Sequence, residues 1–445
     1  MVTFEVEYPQ PILEAGIAAA PLIARPATWI NRRVETIRLL SHEETRRQVS
    51  IDFTLSDAQR SGLTIDHGVV VPISVMTKEA RRNFDLRDES GSAVPVLGKR
   101  ENGALAHVAV MSEAHDVVSG APNQEEFDLV WTELREVVSS EPKAAAEALS
   151  NFVGKAEDGD PLRSTIWANS SCRTMLEVLQ ANYVLFAVVE PNCADRRILK
   201  CSFSEDFRFD KAQSPTLRER MAPSAILDRL SKPGRRTFQL LCPGAWRADS
   251  FHVEVVIPEE LRIDLAVLYD FGREEVLSMP DWDRNRASLY PDAPISPDLD
   301  AVTYVVIAAE RRGGMVQAAI TGVIVSALIW VGVISGLDFK NPDAPGASAS
   351  IVLAGAALYS GITAVRGEPS LVSQVFFASR VLLGCISICA LAASASLAME
   401  VPDTRPTTVW LVAAILATCA SIWLVWLALR APGNLRKENA ASGGE

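Results

Sequence analysis

The sequence predicts an α+β soluble region, made of antiparallel β-sandwich or small-barrel elements with a helical insertion, followed by an all-α four-helix transmembrane bundle. Three observations predict it. Residues 1–115 and 183–310 hold short runs in which apolar and polar side chains alternate, the period of a half-buried strand. Between them, 116–182 repeats apolar residues at the three- and four-residue spacing of an amphipathic helix. From 311 to 432, four long stretches are free of charge. The polar end, 433–445, reads as a disordered cytoplasmic tail.

The first strand block opens with a hairpin. Residues 33–40 and 49–55 flank a polar turn, and Val49, Ile51, Phe53 and Leu55 alternate with Ser50, Asp52 and Thr54. Segment 68–75 is more continuously apolar, as a central strand would be. Segments 94–97 and 105–110 are further strand candidates. In the helical block, Asn123 can cap a helix with Glu126 in the capping-box position, ahead of a Phe127, Val130, Trp131, Leu134 stripe. A second helix, 141–153, has Pro142 at its start and Gly154 just past its end, and 171–181 is a third. Strands resume at 183–189, 197–203, 237–242, 251–257, 263–269 and 302–308. Alternation alone leaves open whether the two strand blocks share a sheet.

The predicted spans are 315–337, 346–365, 381–399 and 406–429. About 20 apolar helical residues cross a hydrocarbon core of about 30 Å. Arg311, Arg312, Arg366, Arg380, Arg430, Arg436 and Lys437 flank one side, against Lys340 and Arg405 on the other. That bias predicts four spans in the plasma membrane with both termini cytoplasmic. No signal peptide is read at the start, where Glu5 and Glu7 stand in place of basic residues and Pro21 interrupts the apolar run. None of the spans holds an ionisable side chain in its core, which argues against proton relays and charged-substrate pathways. Gly332 and Gly336 form a GxxxG pair suited to close helix packing, within one chain or in a homo-oligomer. A pore lined by Ser326, Ser387, Ser394, Ser396 and Thr418 is the alternative, although a membrane-helix hydroxyl usually bonds its own backbone.

Charge narrows the partners. Residues 311–445 contain 9 Lys or Arg and 7 Asp or Glu, so the chain totals of 43 and 55 leave 34 basic and 48 acidic residues before them, a net of −14. A region so acidic should be repelled by phosphate backbones, and no nucleic acid partner is expected. The 7 cysteines lack any zinc-site spacing and suit a reducing compartment. Cys385 and Cys389 share a helix face but read as packing residues rather than a metal site.

No phosphate loop, dinucleotide fingerprint, zinc-protease motif, nucleophile elbow or EF-hand is present, so neither catalysis nor a cofactor is indicated. The acidic loop at Glu157, Asp158 and Asp160 reads as a solvated turn, and Glu205, Asp206 and Asp210 read as ion-pairing groups. Arginine pairs such as Arg32–Arg33 and Arg46–Arg47 would bind an anion if they converged, but in acidic surroundings they more often balance carboxylates. The least ordinary segment is 278–299, read as a long loop with four prolines. Its Asp281, Trp282, Asp283 and Tyr290 are the candidate recognition residues. The resulting reading is a membrane-anchored, non-enzymatic protein whose cytoplasmic region binds a ligand or a protein partner. The alternative is a membrane effector whose bundle forms a pore or disrupts the bilayer when that region is triggered.

Overall fold

A long antiparallel hairpin, β1 (Ile30–Leu39) and β2 (Glu44–Thr54), sits in the middle of the largest sheet of the mixed α/β N-terminal region. The computed structural model describes residues 8–41, 44–66, 68–78, 82–118, 124–191, 196–206, 235–242, 244–270, 275–278, 281–283, 285–291, 301–309, 314–334, 346–365, 370–398 and 405–430. Ahead of the hairpin lies α1 (Gln10–Ala24). After it come α2 (Asp57–Gly62), β3 (Thr64–Ile65), β4 (Gly68–Thr77), β5 (Arg82–Arg87), α3 (Lys99–Val117), α4 (Gln124–Ser139), α5 (Pro142–Glu157), α6 (Pro161–Ala168) and α7 (Ser170–Ala181). Then follow β6 (Asn182–Val189), β7 (Arg196–Asp206), β8 (Arg235–Cys242), β9 (Ser250–Val256), β10 (Leu261–Asp270), β11 (Glu275–Ser278), β12 (Asp281–Asp283), β13 (Arg286–Leu289) and β14 (Ala301–Ala309).

These strands make three sheets. A seven-stranded sheet runs β12-β13-β9-β1-β2-β7-β5, a four-stranded one β11-β10-β14-β8, and a three-stranded one β3-β4-β6. The largest sheet therefore draws strands from both strand-rich blocks. Its one parallel seam joins β1 to β9 and places Arg33 beside Phe251 and Ile37 beside Val255.

One face of that sheet is buried in two different ways. Val49, Ile51, Phe53, Leu199 and Phe203 join a core shared with the three-stranded sheet and the helices. Ile37, Leu39, Val253 and Val255 join a second core with Phe238, Leu240, Ile263 and Ile307 of the four-stranded sheet. Between them, on the same face, lies a buried ionic cluster. Glu35, fully inaccessible, accepts from Arg33 at 2.7 Å and from Arg47 at 2.5 Å. Arg47 also reaches Glu205 at 2.8 Å and the Leu241 carbonyl on β8 at 2.8 Å, tying the two large sheets together. Burial works against the Arg47 charge, but Glu205 and Glu35 outweigh it and its pKa is raised.

Two local expectations are corrected. Residues 105–110, expected as a strand, belong to helix α3. Almost every side chain from Asn102 to Met111 is buried, so the helix reads as a continuous apolar run without helical periodicity. Gly98 and Glu101 mark its true start, the Glu101 carboxylate accepting from the Gly98 amide at 2.9 Å. Gly16 explains how α1 lies so close to it, because a Cβ at Gly16 would stand 2.5 Å from Val108 Cβ. Residues 94–97 make a single isolated bridge, Val96 to Ala187, rather than a strand.

The C-terminal part holds α8 (Gly314–Ile334), α9 (Gly346–Val365), α10 (Ser370–Val375), α11 (Phe377–Ala398) and α12 (Arg405–Arg430). Among the described residues, three segments of these, Gly314–Ile334, Phe377–Ser396 and Thr408–Leu429, are long and apolar enough to cross a membrane. Of the 28 large hydrophobic residues exposed in the described structure, 20 lie in residues 314–430, which gives this part the apolar exterior that lipid contact requires. Inside, hydroxyl groups are spent on packing. Ser326 and Ser421 bond each other at 2.7 Å, Trp330 donates to Thr418 at 2.8 Å, and Ser387 donates to the Ala357 carbonyl at 2.7 Å.

The second core does not stop at the sheets. Met315, Leu371, Val372, Val375, Phe376 and Leu427 belong to it, so α10 and the adjoining helix ends seal the underside of the four-stranded sheet. A fragment cut after residue 310 should therefore expose that underside. We expect it to aggregate or to bind an apolar dye that the full chain excludes; a monodisperse, dye-negative fragment would show that the cover is dispensable.

Candidate functional site

A concavity of about 930 Å³ lies where the start of α3, the end of α4 and the β4–β6 pair meet. That volume is in the range of small-molecule sites. Phe84, Val96, Leu97, Val138 and Leu185 give it an apolar floor, and Lys78, Lys99, Arg100 and Arg135 bring positive charge to it. Each comes from a different local cause. Lys78 follows β4 and its amine donates to the Val137 carbonyl at 2.9 Å, near the electronegative end of α4. Lys99 and Arg100 open α3, where the free amides of the first turn add to their charge. Lys99 is held by Glu141 at 2.8 Å. Asn102 braces the wall, donating to the Leu97 carbonyl at 2.7 Å and accepting from the Phe186 amide at 2.9 Å.

Electrostatics single out Lys78. Burial lowers its pKa to about 8, with Glu141 opposing the shift and Lys99 adding to it. The unfolded chain, with an ordinary lysine value, binds more protons between pH 8 and about 10.5, so this group's contribution to stability rises with pH across that window. Lys78→Met should flatten that part of the pH dependence of thermal unfolding, compared at pH values near 7.5 and 9.5. The lowered value should also make Lys78 acylate ahead of Lys99 and Lys143 near neutral pH. An unaltered pH profile in the variant, or labelling of Lys78 no faster than the others, would mean the amine is solvated.

Tyr8 lines the same cavity and links it to a buried histidine. His107 Nε2 lies 3.0 Å from the Trp131 carbonyl, which can only accept, so Nε2 carries the proton and Tyr8 donates to Nδ1 at 3.2 Å. Burial lowers the His107 pKa to about 4, keeping the ring neutral. None of Tyr8, Lys78, Arg100 or His107 stood out in the sequence. They come from three separate segments, Arg100 and His107 sharing α3, and only the folded chain brings them together.

The residues the sequence singled out lie elsewhere. The 278–299 segment is not one long loop: Asp281–Asp283 and Arg286–Leu289 form a short hairpin on the edge of the seven-stranded sheet. Ala287 and Leu289 are buried there, but strands of three or four residues are too short to show alternation. Within it, Trp282 pairs with Ala287, Asp281 with Ser288 and Asp283 with Arg286 along the backbone. Tyr290 is half exposed and packs on His252 with ring centroids 4.0 Å apart. Residues 292–300 lie outside the described residues, as do Gly336 and the 433–445 tail. Gly332 faces α12, and a Cβ there would stand 1.9 Å from the Trp410 ring. Asp160 caps α6, accepting from the Leu162 and Arg163 amides at 3.1 and 3.0 Å, and is a structural group.

Among the described residues, no three His, Cys, Asp or Glu side chains converge to hold a metal ion. No protein-family model matches the sequence, and no curated protein sequence matches it either.

Proposed function

We propose that this protein is a membrane-anchored sensor that binds a small amphipathic anion in the cavity beside Lys78. The observation that carries the reading is the composition of that cavity: an apolar floor for a hydrophobic body and a cationic rim, at the start of a 19-residue helix, for an acidic group. In this reading the two large sheets form a sandwich, four helices span the plasma membrane, and both termini are cytoplasmic. Sensing and assembly, rather than catalysis, are the role. A water-soluble probe with the right chemistry is 1-naphthyl phosphate. Calorimetry on the full chain in nanodiscs should give one site per chain, weakened about tenfold or more by Arg100→Ala, which removes a charge-assisted hydrogen bond. It should also be blocked by Val96→Trp, which fills the floor. Binding that ignores both substitutions would reject the cavity as the site.

A second reading, a membrane effector, draws support from the shared core. Side chains of α8, α10 and α12 pack with the sheets, so a ligand-driven shift of the soluble region would reach the bundle directly. Dye release from liposomes on addition of the probe separates this from the anchor reading.

A further inference from the structure

The solvent-facing side of the seven-stranded sheet carries a separate polar depression of about 490 Å³, which shares no lining residue with the cavity at Lys78. Its register is unusual. Arg38 on β1 stands directly opposite Arg46 on β2, and Arg87 on β5 directly opposite Lys200 on β7. Directly opposed like charges destabilise a sheet, so an arrangement that keeps two such pairs on one face calls for a compensating anion.

The acids that line the depression, Asp85, Asp88 and Glu89, offset one of these cations and leave the other three. Asp85 is held by Arg87 at 2.7 Å, and Glu89 faces Arg197 at 3.8 Å. Asp88 accepts from the Ser90 and Ser92 amides, each at 2.9 Å, inside its own turn. Glu254, on β9, is engaged by Arg286 and by the Thr36 hydroxyl. Glu44 lies two residues before Arg46 on the same face and makes no ion pair with it. Among the described residues, the exposed side chains of Arg38, Arg46 and Lys200 have no carboxylate partner.

The spacing describes the ligand. Arg46 faces Ser204, four residues along β7 from Lys200, so the two cationic ends are about 13 Å apart along the strands. Thr36, Gln48 and Ser202 lie between them and offer neutral hydrogen-bonding groups. We propose that this face binds a small soluble molecule carrying several phosphate groups, with Arg38 and Arg46 clasping one end and Lys200 the other. Arginine suits the first role because its planar fork bonds phosphate oxygens in pairs. No exposed apolar side chain lines the depression to enter a bilayer, which favours a free solute over a lipid headgroup.

The test uses the full chain in nanodiscs with inositol hexakisphosphate as the probe. Calorimetry should show one site, weakened about tenfold by either Arg46→Gln or Lys200→Gln and weakened steeply by added salt. Arg46→Gln should leave the melting temperature without probe unchanged or higher, because it removes an opposed charge. It should also leave 1-naphthyl phosphate binding intact, so this proposal can fail while the cavity reading stands, and the reverse. Four results would overturn it: no binding at millimolar probe, affinity unaltered in both variants, capture of phosphoinositide vesicles without capture of the soluble probe, or complete displacement of the probe by a short DNA duplex.

Discussion

Gly332→Leu is expected to lower the stability of the membrane part by about 3 kcal/mol or more, at the upper end of overpacking costs. Even the first added carbon would stand 1.9 Å from Trp410 Cζ3 and 2.6 Å from Cη2. Trp410 cannot easily give way, since it is 2% exposed and its indole N–H donates to Ser396 Oγ at 2.9 Å. The signature is that Gly332→Ala should be nearly as harmful as leucine, because Cβ itself is the clash. Trp410→Leu should restore tolerance to alanine. Oligomer size should not change, since this contact lies within one chain. Thermal unfolding in mild detergent, followed by circular dichroism and light scattering, reads all three; a Gly332→Ala variant as stable as the parent would disprove the contact.

Glu35→Gln should have the other large effect. It leaves the Arg33 and Arg47 guanidiniums in a buried seam with one neutral acceptor where a carboxylate had served both. Breaking such a buried pair costs about 3–5 kcal/mol, mostly from the uncompensated charge that remains. Replacing the cluster together, as Arg33→Met, Glu35→Leu and Arg47→Met, should recover much of that loss because no charge is then left buried at its centre. Chemical denaturation would decide it, and a single substitution no worse than the triple one would place the cluster in contact with water.

What could be read from the sequence, and what could not, divides along physical lines. The β1–β2 hairpin was legible because one face of each strand is buried and the other wet. Helices α4, α5 and α7 were legible because each buries a single stripe. The apolar C-terminal helices were legible from length alone. Helix α3 was not, because it is buried on nearly all sides and so loses its period. The β12–β13 hairpin was too short to show alternation. The cavity was invisible for a different reason: Lys78, Arg100 and Tyr183 reach it from segments about 20 and 80 residues apart, and no local pattern records a convergence made by tertiary packing. In the cationic pairs the types were legible but not the geometry. The sequence showed Arg46 beside Arg47, whereas the fold sends one into a buried ion pair and the other to the open face.

The parallel seam between β1 and β9 has a consequence for synthesis. Thr36 and its partner Glu254 are separated by 218 residues, so the edge of β1 that faces β9 emerges from the ribosome long before its neighbour exists. At about 5–20 residues per second, that edge waits on the order of ten seconds or more, unpaired and able to recruit the strand of another chain. By the time β14 completes the four-stranded sheet, the next residues to appear are those of α8, bound for the bilayer. Closure of the sheet and delivery of the first apolar helix to the membrane are thus nearly simultaneous events. Slowing translation around residues 250–310 should then shift the yield of assembled protein more than slowing it anywhere in the helical segment, because only there do the two processes compete for the same nascent chain.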